Sequence, residues 1–277
     1  MSFINTNIAS IRARSNLERV ERAMDQSIER LSSGKRINAA RDDASGSAIA
    51  GRMESQIRGL ASSIRHAKDG QSFAHTAEGG LKEITSLLQR MRELAVQAAS
   101  GVASTTDKDY LNLEMKQLVA EIAHIDANTK FNDMTVFTST GRTFYTDIDV
   151  AGTAITTPGI EMSTAVTPGF TSTVVSIGGG VVAAKLSSVL SAIDVAVELV
   201  DGKRANLGAV SNRFDHIVDN LTNIIANTEA AKSRIEDADF SVETTELTRN
   251  QVLQQAATSM VAQANTSKNT ILALIQQ

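Results

Sequence analysis

Apolar residues recur at alternating intervals of three and four positions through much of the chain. The longest run lies between residues 57 and 98 and contains one three-residue slip. Its apolar members are Ile57, Leu60, Ile64, Ala67, Ala74, Ala77, Leu81, Ile84, Leu88, Met91, Ala95 and Ala98. Such spacing is the heptad pattern of helices that pack side by side. It predicts one helix of about 55 residues, on the order of 80 Å long at 1.5 Å per residue.

The same pattern returns in shorter segments on both sides of the middle of the chain. Its members are Leu111, Met115, Leu118, Ile122 and Ile125, then Leu186, Val189, Ile193, Val197 and Val200, and finally Leu207, Val210, Phe214, Ile217, Leu221 and Ile224. Gly34 is placed to end the first helix in a left-handed conformation, and Asp42 or Asp43 to cap a helix that begins near Ala44. The predicted fold class is therefore mainly α, with long coiled-coil helices in an elongated rod.

The middle of the chain has a different composition. Between residues 151 and 184 Gly, Ser, Thr and Val dominate, and both prolines of the chain, Pro158 and Pro168, lie there. Just before it, apolar and polar residues alternate with the period of a strand. The inward positions of that alternation are Phe144, Thr146, Ile148 and Val150. With residues 174–177 as partner strand, this pattern predicts a small central β-hairpin region.

Both ends of the chain carry apolar stripes of their own. Their members are Ile4, Ile8, Ile11, Leu17, Val20, Met24, Ile28 and Leu31 at the start, and Leu253, Ala257, Met260, Ala264, Ile271 and Leu274 at the end. Each large aliphatic side chain left in water forgoes roughly 1.5 to 3 kcal/mol. Two interpretations stay open. The ends form an intramolecular coiled coil, or they stay disordered until neighbouring subunits bury these residues as an assembly seam.

Composition and motifs argue against several classes of function. A net charge of −4 without a basic stripe gives no case for nucleic-acid binding, and no apolar run approaches the roughly 20 residues that span a bilayer. Cysteine is absent, and the four histidines lie far apart without an H-E-x-x-H arrangement. The start of the chain lacks the basic and apolar regions of a cleaved secretory signal. The prediction is a structural protein, not an enzyme, without cofactor or metal.

Several long motifs resemble those of bacterial flagellins, in the same order and spacing. They are Leu31–Asn38, Arg41–Gly46, Gln89–Ala98 and Asn128–Asn132, then Leu207–Phe214, Ser233–Asp239 and Gln254–Asn265. The resemblance covers about residues 1–135 and 185–277. Only about 50 residues separate the two helical blocks, so the resemblance is to a short form without large outer domains. Asp133 departs from the pattern, since Gly usually follows Phe-Asn in this family.

The resemblance implies a structural subunit that polymerises into the flagellar filament for motility, exported unfolded through the flagellar channel to an extracellular location. It implies three segments: an inner, channel-lining terminal coiled coil (1–43 and 236–277), a helical rod (44–135 and 185–235), and a short β-rich outer region (136–184). The implied partners are other flagellin subunits, the export apparatus with its flagellin chaperone, and the hook-associated and cap proteins.

The resemblance also implies a surface for an innate immune receptor. Gln89, Arg90, Glu93 and Leu94 match the stretch of flagellins that Toll-like receptor 5 recognises, and Glu114 aligns with a further contact position. A plainer interpretation also stands. Arg90 and Glu93 are then an i,i+3 pair on a solvated face, and Leu94 packs between subunits.

Two other functions compete with that of a filament subunit. A hook-filament junction protein shares paired terminal helices but usually diverges from the Leu31–Asn38 and Gln89–Gln97 motifs that are intact here. A secreted coiled-coil effector or adhesin leaves the ordered motifs unexplained. The Ser and Thr residues between Thr138 and Ser176 are either O-glycosylated or part of an unmodified turn region.

Overall fold

The chain is mainly helical, as the heptads predict. The computed structural model describes residues 7–100, 102–146, 154–160 and 183–275, and excludes the side chains of 183–186 and 267–275. Within these residues the helices are α1 (Ile8–Ser33), α2 (Ala44–Ala99), α3 (Thr105–Asn128), α4 (Ala183–Glu236) and α5 (Phe240–Ile275). None of the described helices combines the length and the apolar character that crossing a membrane requires.

The chain divides into two compact units. One, the terminal unit, comprises the residues up to Ile57 together with those from Ala226 onward, and the other, the central unit, comprises Arg58–Ile225. Helices α2 and α4 contribute residues to both. The division into three segments that the resemblance implies stays a prediction.

Helix boundaries follow local chemistry. Gly34 ends α1 at φ 69°, the left-handed conformation that the sequence predicts for it. Asp43 caps α2, because its Oδ1 accepts hydrogen bonds from the Gly46 backbone N–H at 2.9 Å and from the Ser45 hydroxyl at 2.8 Å. Asp42 instead accepts from the Ala39 backbone N–H at 3.0 Å and so closes the preceding turn.

The core of the central unit is built on the predicted heptad of α2. Ala77, Leu81, Ile84, Leu88, Met91, Ala95 and Ala98 are all buried. Met115 and Ile122 of α3 and Val189, Ile193, Val200 and Leu207 of α4 belong to the same cluster. Three helices therefore share one apolar core, in which the heptad positions of α2 identified from the sequence are joined by residues outside the heptads, such as Phe73, Leu94 and Phe137.

Two small antiparallel strand pairs adjoin these helices. The strands are β1 (Lys130–Phe131) with β2 (Met134–Thr135), and β3 (Thr143–Tyr145) with β4 (Ala154–Thr156). The predicted strand around Phe144 is present as β3, but its partner is β4. The predicted partner, residues 174–177, lies outside the described residues, as do Ile148 and Val150.

Phenylalanine rings connect the strands to the helices of the central unit. Phe144 of β3 packs against Phe73 of α2 and Phe214 of α4, with ring centroids 5.8 Å apart in each case. Phe73 also meets Phe131 of β1 edge to face at 6.0 Å. Aromatic residues are only 4% of the chain, so this row of rings concentrates half of its eight phenylalanines at one place.

Candidate functional site

The terminal helices α1 and α5 pack along each other in antiparallel orientation. The Asn7 side chain donates to the Ala264 carbonyl at 3.0 Å, and the Ser10 hydroxyl donates to Asn265 Oδ1 at 3.1 Å. At the other end of the pair, Arg30 Nη1 lies 2.9 Å from a carboxylate oxygen of Glu243. The two ends of the chain thus pair within one molecule, in agreement with the interpretation that they form an intramolecular coiled coil.

A clasp between the two linkers closes this helix pair. The clasp comprises residues 34–36, which follow α1, and residues 236–238, which precede α5. Lys35 and Asp237 form an antiparallel bridge, the Arg36 N–H donates to the Glu236 carbonyl at 2.7 Å, and the Ala238 N–H donates to the Gly34 carbonyl at 3.0 Å. The spacing of apolar residues contains no information about backbone hydrogen bonds between distant linkers, so the clasp was not predicted from the sequence.

Ion pairs reinforce the clasp. Lys35 Nζ lies 2.5 Å from a carboxylate oxygen of Glu236. The ammonium group of Lys232 contacts Glu54 and lies 3.7 Å from the second oxygen of Glu236. The hydrogen bond to Glu54 is the main reason that the pKa of Lys232 is raised above its ordinary value. The linkers are therefore tied both to each other and to the start of α2.

The inner faces of α1 and α5 follow a heptad of their own. Partial or full burial recurs with this spacing at Ser10, Ala13, Leu17, Val20, Met24, Ser27 and Leu31 on α1, and at Glu243, Leu247, Asn250, Gln254, Ala257, Val261 and Ala264 on α5; Glu21, Ala23, Arg30, Thr244 and Glu246 beside them are also partly buried. Among the described residues of these two helices, the most buried are polar: Ser27, Glu243 and Asn250. A search for apolar heptads does not find polar residues, so these inner positions were not predicted from the sequence.

The outer faces carry much of the predicted assembly seam. Ile8, Ile11, Ile28, Leu253 and Met260 are exposed, and Met260 retains 65% of its accessible surface. Leu17, Val20, Met24, Leu31, Ala257 and Ala264 are partly buried. Ile4 lies outside the described residues, and so do the side chains of Ile271 and Leu274. The intrachain pair thus leaves large aliphatic side chains in water.

A shallow groove runs beside this outer face of α5. It is lined by Thr244, Thr245, Thr248, Arg249, Val252 and Leu253. The threonine hydroxyls at 244, 245 and 248 are engaged with carbonyls of the preceding turn. Their methyl groups and the aliphatic side chains of Val252 and Leu253 therefore give the groove an apolar character that suits another helix.

A second candidate surface lies in the central unit, where α2 meets α3. The Arg90 guanidinium donates from Nε and Nη2 to one oxygen of Glu114 at 2.9 and 2.8 Å, and from Nη1 to Glu93 at 3.0 Å. All three side chains and that of Gln89 remain exposed. The bonds to Glu114, followed by that to Glu93, raise the pKa of Arg90 above its usual range.

Leu94 differs from the other residues predicted for receptor recognition. It is 1% exposed and belongs to the apolar core of the central unit. Because α2 has 3.6 residues per turn, Arg90 and Glu93 point to solvent while Leu94 points inward. The structure therefore brings Gln89, Arg90, Glu93 and Glu114 together on one surface and places Leu94 beneath it.

Comparison with known proteins identifies the class of molecule. Residues 4–141 match the bacterial flagellin N-terminal helical region, and residues 190–275 match the bacterial flagellin C-terminal helical region. These are the regions that form the paired terminal helices and the helical core. The class is thus that of structural subunits of a flagellar filament.

The chain belongs to the bacterial flagellin family. It is 38% identical over 275 residues to a flagellin of Halalkalibacterium halodurans, covering 99% of this chain and 100% of that protein. It is 37% identical over 287 residues to flagellin FlaB1 of Treponema pallidum, with coverage of 99% and 100%. The chain is a structural subunit of the bacterial flagellar filament, and subunits of this family polymerise with one another.

Solved structures agree with this assignment. A crystal structure of Bacillus cereus flagellin matches with a TM-score of 0.51 and 29% identity, covering 61% of this chain and 94% of that one. A putative flagellar hook-associated protein from Vibrio parahaemolyticus matches with a TM-score of 0.63 at 14% identity, covering 71% and 100%. The second likeness concerns the fold alone.

Proposed function

We propose that this flagellin polymerises by burying the outer apolar faces of α1 and α5 against neighbouring subunits. The observation that carries the proposal is the exposure of Ile8, Ile11, Ile28, Leu253 and Met260 on a helix pair that is already formed within one chain. Removing two such side chains from water contributes roughly 3 kcal/mol or more to each contact. The contact therefore supplies a driving force for assembly.

The geometry of a polymer follows from the asymmetry of this surface. The outer residues of α1 and of α5 differ, so a contact between one face and the other is heterologous, and it repeats from copy to copy as an open array where the rotation between copies does not close a ring. An open helical array results. In this array the terminal helix pair is the inner, channel-lining layer, and the chain has a structural role without catalysis.

The same exposed surface is also a reason to propose the partners that the resemblance implies. Apolar terminal faces need protection before assembly, which a flagellin chaperone and unfolded passage through the export apparatus would provide. At the ends of the filament they would meet hook-associated and cap proteins instead of another copy. The filament would then lie outside the cell.

Seeded polymerisation of purified protein tests the assembly surface. The variant L253Q/M260Q should raise the critical concentration by at least about tenfold, because two apolar contacts are lost from each interface. T258Q/S259Q is the matched control, since it enlarges two exposed polar positions of the same helix. Circular dichroism verifies that both variants keep the parent's helix content. An unchanged critical concentration for L253Q/M260Q would refute the proposal.

A second proposed role is recognition by Toll-like receptor 5 through Gln89, Arg90, Glu93 and Glu114. The observation in its favour is that α2 and α3 hold these side chains together, with Arg90 fixed by two carboxylates. R90A and E114A should each lower signalling in receptor-expressing reporter cells while leaving the thermal midpoint of the monomer nearly unchanged. The R92A variant, which removes an exposed pair with Asp194 at 2.9 Å, serves as control. Full signalling by R90A would exclude this role.

A further inference from the structure

The methionine side chains of this chain differ widely in their exposure to solvent. Four of the described methionines are buried or partly buried: Met24, Met53, Met91 and Met115. Met134, in the turn-linked strand β2, retains 38% of its accessible surface, whereas Met260 of α5 retains 65%. Among the methionines that the structure describes, Met260 is therefore the one most open to a reagent in solution.

The surroundings of Met260 are uncharged. No residue between 250 and 267 carries a charge. The hydroxyls of Thr258 and Ser259, which precede Met260 along the helix, both donate to the Gln255 carbonyl, at 2.8 and 3.0 Å. Two helical turns earlier lies Leu253, which is 45% exposed. The thioether of Met260 thus belongs to the uncharged outer face that is proposed to meet a second copy of the chain.

A thioether in contact with water is open to oxidation by hydroperoxides. The sulfur attacks one oxygen of hydrogen peroxide, the O–O bond breaks, and the other oxygen leaves as water. The sulfur gains one oxygen and is oxidised by two electrons to a sulfoxide, which is polar and accepts hydrogen bonds. At the exposed position 260 this oxygen stays hydrated, so the fold of the monomer tolerates it.

Assembly changes the environment of that oxygen. Contact with a neighbouring subunit would strip its water, and burying a polar group without a hydrogen-bond donor costs free energy. We infer that Met260 is a redox-sensitive modification site, at which oxidation to the sulfoxide prevents a free subunit from polymerising and reduction restores it. This control rests on the proposed assembly surface. Since a second copy covers Met260 in the polymer, oxidation distinguishes free subunits from assembled ones.

Peptide mapping by mass spectrometry after exposure to hydrogen peroxide tests the accessibility of the site. In full-length monomer Met260 should be oxidised at least about tenfold faster than Met91, because the reagent must reach the sulfur. In filaments grown from the same protein the rate at Met260 should fall by about tenfold or more. Equal rates for the two methionines in the monomer would overturn the inference. So would equal rates for Met260 in monomer and filament.

Seeded polymerisation tests the effect of the modification. The oxidised parent should show a critical concentration raised about tenfold, equivalent to about 1.4 kcal/mol. Circular dichroism should show that it keeps its helix content. Treatment with a methionine sulfoxide reductase and a thiol reductant should return the critical concentration to within about twofold of the original. A loss that reduction does not reverse would contradict the assignment.

Two variants assign the effect to one sulfur atom. M260L stays apolar but has no thioether, so peroxide should leave its critical concentration within about twofold of the untreated value. M134L is the matched control, since it removes the other exposed methionine and should respond to peroxide as the parent does. An equal loss in peroxide-treated M260L would place the effect at another methionine and overturn the inference.

The outcomes also separate this inference from the proposed function. If Met260 is fully oxidised and the critical concentration does not change, the redox control fails. The assembly surface stands in that case when L253Q/M260Q is impaired, and it fails as well when L253Q/M260Q polymerises like the parent.

Discussion

Gly70 of α2 lies against the ring of Phe214 of α4, so closely that a Cβ at position 70 would come within 2.6 Å of the ring Cζ. Phe214 is fully buried and also packs edge to face on Phe144. The ring therefore has little room to withdraw. Glycine at this position allows helix and ring to approach at the level of the strand pair β3–β4.

The variant G70A should lower the free energy of unfolding by about 1 to 3 kcal/mol, because the added methyl overpacks the contact with Phe214. G79A is the matched control, since no atom lies within 4 Å of a Cβ built there. It should stabilise the protein by up to about 1 kcal/mol through helix propensity. Urea unfolding of monomers measures both. A G70A protein as stable as the parent would show that the ring can move.

The turn between β1 and β2 holds two residues in the left-handed region, Asn132 at φ 50° and Asp133 at φ 62°. Glycine is the preferred second residue of such a turn. D133G should stabilise the protein by about 0.5 to 1 kcal/mol, because glycine adopts positive φ without a steric penalty. D133A should destabilise it instead. Thermal unfolding at one pH compares the two, and equal midpoints would contradict the account.

The cap of α2 should make stability depend on pH in acid. The backbone hydrogen bond from Gly46 and the side-chain bond from Ser45 lower the pKa of Asp43. A carboxyl with a lowered pKa contributes stability that is fully present above its unfolded value, near 3.9, and that disappears as pH falls through the lower folded value. Unfolding monitored between about pH 5 and pH 2 should show this loss. D43S retains a capping oxygen without a titratable group, so its profile should be flatter. If the stability of D43S falls with pH as steeply as that of the parent, the loss of stability does not come from Asp43.

Leu94 should matter for stability more than any exposed neighbour. L94A should lower the free energy of unfolding by about 2 to 5 kcal/mol, because a fully buried leucine leaves a cavity. Q89A should change it by less than about 0.5 kcal/mol. Chemical denaturation measures both. Reduced receptor signalling by L94A would then reflect a disturbed core, and a stable L94A protein would contradict the burial argument.

Helix content and the central core were predictable from the sequence. The heptad of α2 can be recognised from residue spacing alone. Every member from Ala77 to Ala98 is buried, because a long helix with a single apolar stripe is most stable when that stripe packs against its neighbours. Gly34 was predictable for the same local reason, since a left-handed helix end favours a residue without Cβ. The flagellin family was also identifiable, because several long motifs occur in order.

Tertiary contacts decided which face of a helix is buried and which strands pair. The apolar heptad of α5 does not say which of its members face α1; the structure leaves Ala257 and Ala264 partly buried and Leu253 and Met260 exposed. Strand β3 pairs with β4 (Ala154–Thr156), a partner that the alternation around Phe144 does not specify. Sequence thus determined which residues are helical and apolar, while long-range contacts decided which apolar residues the chain buries and which it leaves exposed.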